Sequence, residues 1–185
     1  MRTRMLGRLL MAAALLAGAA AASTKGGAKL PQSDSDIASN VRHEVAMYAY
    51  YSLWDDVGFH VIDGNVSLTG EVNQPFKKRD IERLVQKVPG VASVTNDIKV
   101  LPLSSMDDRL RLQVASAIYR DSSLSRYGMG AVPAIHIIVE NGHVTLTGMV
   151  NSDMEKQIAG MRAASSLSFG PITNNLVVEH PARKS

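Results

Sequence analysis

Three cationic residues, Arg79, Arg83 and Lys87, recur at i, i+4 and i+8, a spacing that stacks side chains on one face of a helix. Ile81, Leu84, Val85 and Val88 fall on the opposite side, so the cationic stripe is expected to face solvent, with Lys77 and Lys78 adding charge at the helix start. The chemistry such a stripe offers is electrostatic: beside an anionic bilayer each residue contributes on the order of 1 kcal/mol. A second group, Tyr48, Tyr50, Tyr51 and Trp54, closes the preceding helix and opens the next loop. Tyr and Trp suit a bilayer interface because one end of each ring is apolar and the other forms hydrogen bonds. Arg79, Arg83, Lys87, Tyr51 and Trp54 are therefore the candidate membrane-contact residues. Burial competes with that role for the aromatic members, and Trp54, the only Trp, equally suits a core or a domain interface.

Bond-making chemistry has no comparable support. The chain has no Gly-x-Ser-x-Gly elbow, no His-Glu-x-x-His and no phosphate loop followed by Lys-Ser/Thr. Gly128-Met129-Gly130 lacks the third glycine of a nucleotide loop and reads as a flexible connector. His136 and His143 share the outer face of one hairpin, but four residues of strand hold them roughly 14 Å apart, too far to share an ion. Both read as surface residues, and His43 and His60 have no partner in the sequence. No catalytic residue, metal site or cofactor site is expected.

The elements that must position these groups are encoded twice. Asp63-Gly64-Asn65-Val66-Ser67-Leu68-Thr69-Gly70-Glu71-Val72-Asn73 returns as Asn141-Gly142-His143-Val144-Thr145-Leu146-Thr147-Gly148-Met149-Val150-Asn151. The offset of 78 residues (142 − 64) holds without a gap from Gly64 to Val100, which marks two copies of one small domain. Before each motif, apolar residues recur every four positions: Ile37, Val41 and Val45, then Leu110, Val114 and Ile118. Asp36 and Asp108 are the expected N-caps of these helices. There the offset is 73 (110 − 37), so the second copy gains its extra residues in the Ser/Gly-rich loop from Asp121 to Pro133.

Each copy then alternates apolar residues as a strand, turns at Asp63-Gly64 or Asn141-Gly142, and returns as a second strand. A second helix over about Pro75 to Val88 follows, ended by Pro89-Gly90, and a third strand carries Val94, Ile98 and Val100. In the second copy Ile158 and Met161 supply a thinner helical stripe. The expected class is α+β: two tandem α-β-β-α-β units, each a three-stranded sheet with two helices on one face. Gly64, Gly90 and Gly142 serve as turn residues. Gly70 and Gly148 fall at inward positions, where a missing side chain admits a close neighbour.

The chain of 185 residues opens with Arg2, Arg4 and Arg8, a short apolar run from Leu9 to Ala17, and Ala20-Ala21-Ala22. That is the pattern of a cleaved export signal, and the run is too short to span a bilayer. Its three arginines account for the whole net charge of +3, leaving 17 basic against 17 acidic side chains. The balance does not favour nucleic acid as a partner. With no Cys, neither a lipidated cysteine nor a disulfide is available. The expected boundaries are 1–22 signal peptide, 23–35 flexible leader, 36–101 first domain, 102–107 linker, 108–179 second domain and 180–185 tail. The protein is expected to be exported and periplasmic, peripheral to a membrane and not spanning one.

The order helix, hairpin, Val-x-Leu-Thr-Gly, helix, and the ending Val88-Pro89-Gly90-Val91-Ala92-Ser93-Val94-Thr95-Asn96-Asp97-Ile98 resemble the BON domain of bacterial osmotic-stress and nodulation proteins. The second copy keeps Ile172-Thr173-Asn174-Asn175-Leu176 but carries Leu167-Ser168-Phe169-Gly170 in place of Pro-Gly-Val. The resemblance covers roughly Asp34 to Glu179. It implies attachment to phospholipid membranes, roles in envelope integrity and osmotic stress, and no enzymatic chemistry. The sequence thus points to a non-catalytic envelope-binding module associating with anionic phospholipid. The alternative is a protein-binding or chaperone-like scaffold for envelope proteins, which the balanced charge favours.

Overall fold

A computed structural model describes residues 32–130, 132–165 and 170–179. The expected export signal, most of the leader, the tail and the end of the second copy's second helix lie outside the described residues.

The first helix, α1 (Asp34–Ala46), starts earlier than expected. Ser33 is the N-cap: its hydroxyl accepts from Asp36 N at 3.2 Å, and the Asp36 carboxylate accepts in return from Ser33 N at 3.3 Å. Asp36 is thus the third residue of a capping box and not the cap. The helix α3 (Ser105–Tyr119) is likewise capped by Ser104, which accepts from Asp107 N at 3.2 Å.

The earlier starts free a carboxylate in each first turn. Asp34 accepts from Asp63 N at 2.8 Å and Gly64 N at 2.9 Å. Asp107 accepts from Asn141 N and Gly142 N, both at 2.9 Å. Each carboxylate thus fastens the helix to a two-residue turn whose residues all have positive φ: 51° and 75° in the first copy, 51° and 79° in the second. Turns of this kind match the right-handed twist of a hairpin.

In the first copy β1 (Asp56–Ile62) pairs antiparallel with β2 (Asn65–Val72), Phe59 opposite Leu68 and Val61 opposite Val66. The helix α2 (Pro75–Gln86) crosses back so that the third strand runs parallel to β2. That strand is broken into β3 (Ser93–Asn96) and β4 (Lys99–Val100). Asp97 N donates to Leu68 O, while Ile98 N turns to the Asn96 side chain, which buries Ile98. The other end of the Asn96 amide donates to Lys78 O on α2 at 2.9 Å.

The second copy repeats this in β5 (Ile135–Glu140), β6 (His143–Val150), α4 (Asp153–Ser165), β7 (Ile172–Asn174) and β8 (Val177–Val178), with Asn174 donating to Lys156 O at 2.7 Å. At Gly70 and Gly148 the close neighbour is backbone of the adjoining strand. A Cβ there would lie 2.0 Å from Asp56 O or 2.1 Å from Ala134 O.

Ile37, Val41 and Val45 of α1, Ile81 and Val85 of α2, and Val66, Leu68 and Val72 of β2 share one buried core. This puts both helices on one face of the sheet. In the second copy Ala159 and Ala163 occupy the positions of Ile81 and Val85, and Met161 is exposed, so the apolar stripe of α4 runs through small residues and the partly buried Ile158. The second core fills out with Leu124 and Tyr127 from the longer loop, and with Leu53 and Trp54 from the first copy.

Candidate functional site

Arg79, Arg83 and Lys87 are exposed along one line of α2. Arg83 lies 3.9 Å from Asp80, one helical turn before it, with most of its side chain in solvent; a pair of that kind contributes little and leaves the charge available. Phe76 stands in the same line, three residues before Arg79 and seven before Arg83. Its ring meets Tyr50 edge-on at 5.5 Å, and Tyr50 meets Tyr48 at 5.8 Å. Tyr48 Oη donates to the Asp80 carboxylate at 2.9 Å. Burial, reinforced by that carboxylate, pushes the Tyr48 phenol above its usual pKa. Tyr50 is 62% exposed, Met47 67% and Phe76 37%. An aromatic cluster therefore sits at the N-terminal end of α2, with the cationic stripe running away from it.

Tyr51 and Trp54 are placed elsewhere. The segment from Tyr51 to Asp55 lies against the second copy, and Leu53 O accepts from Ile137 N of β5 at 2.7 Å. Trp54 is partly buried against the second core. Tyr51 meets the His136 ring at 5.7 Å, and its hydroxyl accepts from Val57 N at 3.3 Å. In the aromatic part of the α2 face, Tyr50 and Phe76 stand where Tyr51 and Trp54 were expected. Phe76 was legible as the apolar residue in register with the stripe.

His136 is not a surface residue. It is 8% exposed because the Tyr51–Asp55 segment covers the outer face of β5. Burial lowers its pKa, while Asp56, Ser52 and Asp55 push the other way. His143 is exposed as expected, 2.8 Å from Thr173 Oγ1, and it stands opposite Glu140 while His136 stands opposite Thr147.

Lys77 does not add to the surface charge either. Its ammonium lies 2.6 Å from the Asp55 carboxylate, with the side chains 5% and 0% exposed. Asp55 also accepts from Ser52 N at 2.9 Å, Ser52 Oγ at 2.7 Å and Asn73 N at 3.0 Å. Ser52 gives its proton to Asp55, and Lys77 is ion-paired to the same carboxylate. The trio offers no free base beside the hydroxyl and acts as a clamp on the segment that reaches the second copy.

In the second copy the residue corresponding to Lys77 is Glu155. It accepts from Asn151 N at 3.1 Å and from Tyr127 Oη at 2.8 Å, and it pairs with Arg126. A carboxylate thus accepts from the same backbone amide in both copies, but it comes from the loop in the first and from the helix in the second, so the charges of helix and loop are exchanged. The residues corresponding to Arg79, Arg83 and Lys87 are Gln157, Met161 and Ser165, so the cationic stripe is not duplicated.

The sequence matches the BON domain over residues 33–102 and again over 107–179. The chain belongs to the BON family. BON domains are phospholipid- or envelope-binding modules and generally non-catalytic. No curated protein matches this chain. Among solved structures it is similar to CdsD, a structural protein of the type III secretion system of Chlamydia trachomatis, at 11% identity and a TM-score of 0.28 over 78% of this chain and 94% of that one. A second structure, the C-terminal domain of CdsD, gives 12% identity and a TM-score of 0.29 over 80% of this chain and 100% of that one. No described helix of this BON protein is long and apolar enough to cross a membrane.

Proposed function

We propose that this BON protein is an exported, peripheral envelope module that associates with anionic phospholipid through the α2 face of its first domain. The supporting observation is the union on one exposed surface of Arg79, Arg83 and Lys87 with Tyr50 and Phe76. Each cation contributes on the order of 1 kcal/mol near an anionic surface within a Debye length. Aromatic rings at one end add interfacial contact. Because basic and acidic side chains balance beyond the first 22 residues, attraction is local to this face, and binding is weak, reversible and sensitive to salt. A role in envelope integrity or osmotic stress follows from where such a module would act.

Flotation with vesicles of anionic and of zwitterionic lipid tests the reading. The protein is expected to float with the anionic vesicles only. Arg79→Gln/Arg83→Gln/Lys87→Gln is expected to weaken binding by roughly a hundredfold at low salt, from three contributions of about 1 kcal/mol each. Equal failure of the wild-type protein on both lipids overturns the proposal.

A further inference from the structure

The two copies treat the free edge of their hairpins differently. The pair Ile62–Asn65 closes a two-residue turn and is hydrogen-bonded, so His60 and Gly58 also bond to β2, while Val57, Phe59 and Val61 direct their N–H and C=O groups outward. In the second copy the same outward positions are Ile135, Ile137 and Val139, and all three are engaged. Tyr119 Oη donates to Ile135 O at 2.6 Å, Ile137 N donates to Leu53 O at 2.7 Å, and Arg111 donates to Val139 O at 2.7 Å. In the first copy Tyr51 Oη meets Val57 N, and among the described residues nothing reaches the outward groups of Phe59 or Val61. The reason is in the sequence. The residues corresponding to Tyr119 and Arg111, 73 positions earlier, are Ala46 and Ala38, too short to reach the edge.

An open edge is normally guarded by Lys, Pro or a bulge. From Val57 to Ile62 this strand has no charged residue and no Pro. Its outer face carries Gly58, His60 and Ile62, all exposed, and Ile62 is 69% exposed.

From these observations we infer that β1 is a self-association edge whose occupant is β1 of a second copy of the chain, paired antiparallel about His60. In that register Phe59 exchanges hydrogen bonds with Val61 of the other copy. The exposed Ile62 side chain lies over the gap left by Gly58, and symmetry makes this contact twice. Such self-complementarity is what an isologous contact requires. The dyad stands perpendicular to the sheet, so the two first-domain sheets become one and all their helices stay on the same side. Edge pairing buries less than a standard interface, so the dimer is weak and concentration-dependent. The inference does not rest on lipid binding.

Sedimentation equilibrium of the protein, with disulfide trapping, tests it. His60→Cys places two thiols in a non-hydrogen-bonded pair, with Cα atoms about 4.5 Å apart and within disulfide reach. The chain has no other Cys to compete. A mass of two chains is expected at high concentration, falling to one on dilution. Oxidised His60→Cys is expected to run as a covalent dimer, unlike Ser39→Cys on the exposed face of α1. Ile62→Lys, a surface change checked for folding by circular dichroism, is expected to weaken the dimer at least tenfold. A monomer at every concentration, with His60→Cys cross-linking no faster than Ser39→Cys, overturns the inference. So does a dimer that tolerates Ile62→Lys and does not cross-link through residue 60.

Discussion

Replacing Lys77 with Met keeps much of the side chain's length and removes its charge, leaving the Asp55 carboxylate at 0% exposure without its counter-ion. Breaking a buried pair from one side costs about 3–5 kcal/mol, because the surviving charge is desolvated and uncompensated. Asp55 keeps three donors, Ser52 N, Ser52 Oγ and Asn73 N, which places Lys77→Met near the lower end, about 3 kcal/mol. Asp55→Asn leaves the ammonium with neutral acceptors alone, the amide oxygen and Ser52 Oγ at 3.3 Å, and costs a similar amount because the buried charge has no counter-ion. The double variant removes both charges and should lose only about 2 kcal/mol, well short of the sum of the singles, because neither charge is left unpaired. Urea unfolding followed by the fluorescence of Trp54 reads this directly, since the only Trp adjoins the clamp. In native buffer Lys77→Met should also shift Trp54 emission to the red as the Ser52–Asp55 segment loosens from the second core. A cost below about 1 kcal/mol for Lys77→Met, or additive losses in the double variant, would refute the assignment of this pair as the clamp.

Gly142 has φ +79° with nothing within 4 Å of an added Cβ, whereas at Gly148 a Cβ would lie 2.1 Å from Ala134 O. Gly142→Ala should therefore cost about 1 kcal/mol and Gly148→Ala considerably more; thermal melts in the reverse order would contradict the geometry. Asp107→Asn should destabilise by about 1–2 kcal/mol through loss of a charge-assisted acceptor for the turn amides, as a denaturant series would show. Burial holds the His136 pKa below its ordinary value near 6.5. Above pH 6.5 the ring is neutral in both folded and unfolded chains, and stability is complete. As pH falls below 6.5 the unfolded chain takes up a proton that the folded chain resists, so stability declines. Melting temperature should drop between pH 7 and pH 5, and His136→Gln should flatten that part of the profile.

The repeat, the hairpin turns and the cationic stripe were legible because each rests on local spacing. The 78-residue offset carries the strands, and 3.6-residue periodicity places Arg79, Arg83 and Lys87 opposite Ile81 and Val85. What escaped is long-range. Lys77 belongs by composition to a basic helix start, and only the fold sets it against Asp55, 22 residues away. His136 sits at an outward position of its strand, and nothing near it in sequence announces that the Tyr51 ring will pack against it. The helix starts were missed by a few residues because Asp36 and Asp108 are plausible caps, while Ser33 and Ser104 satisfy the backbone better.

The inverted wiring of the two copies bears on how a duplicated chain folds without exchanging its parts. Were α2 to dock on the second hairpin, Lys77 would meet Arg126; were α4 to dock on the first, Glu155 would meet Asp55. The second mismatch buries two carboxylates together and the first sets two cations side by side at a more exposed position, so each helix is disfavoured in its sister's socket. Near-identical backbones can therefore sort themselves at the moment of assembly by sign alone.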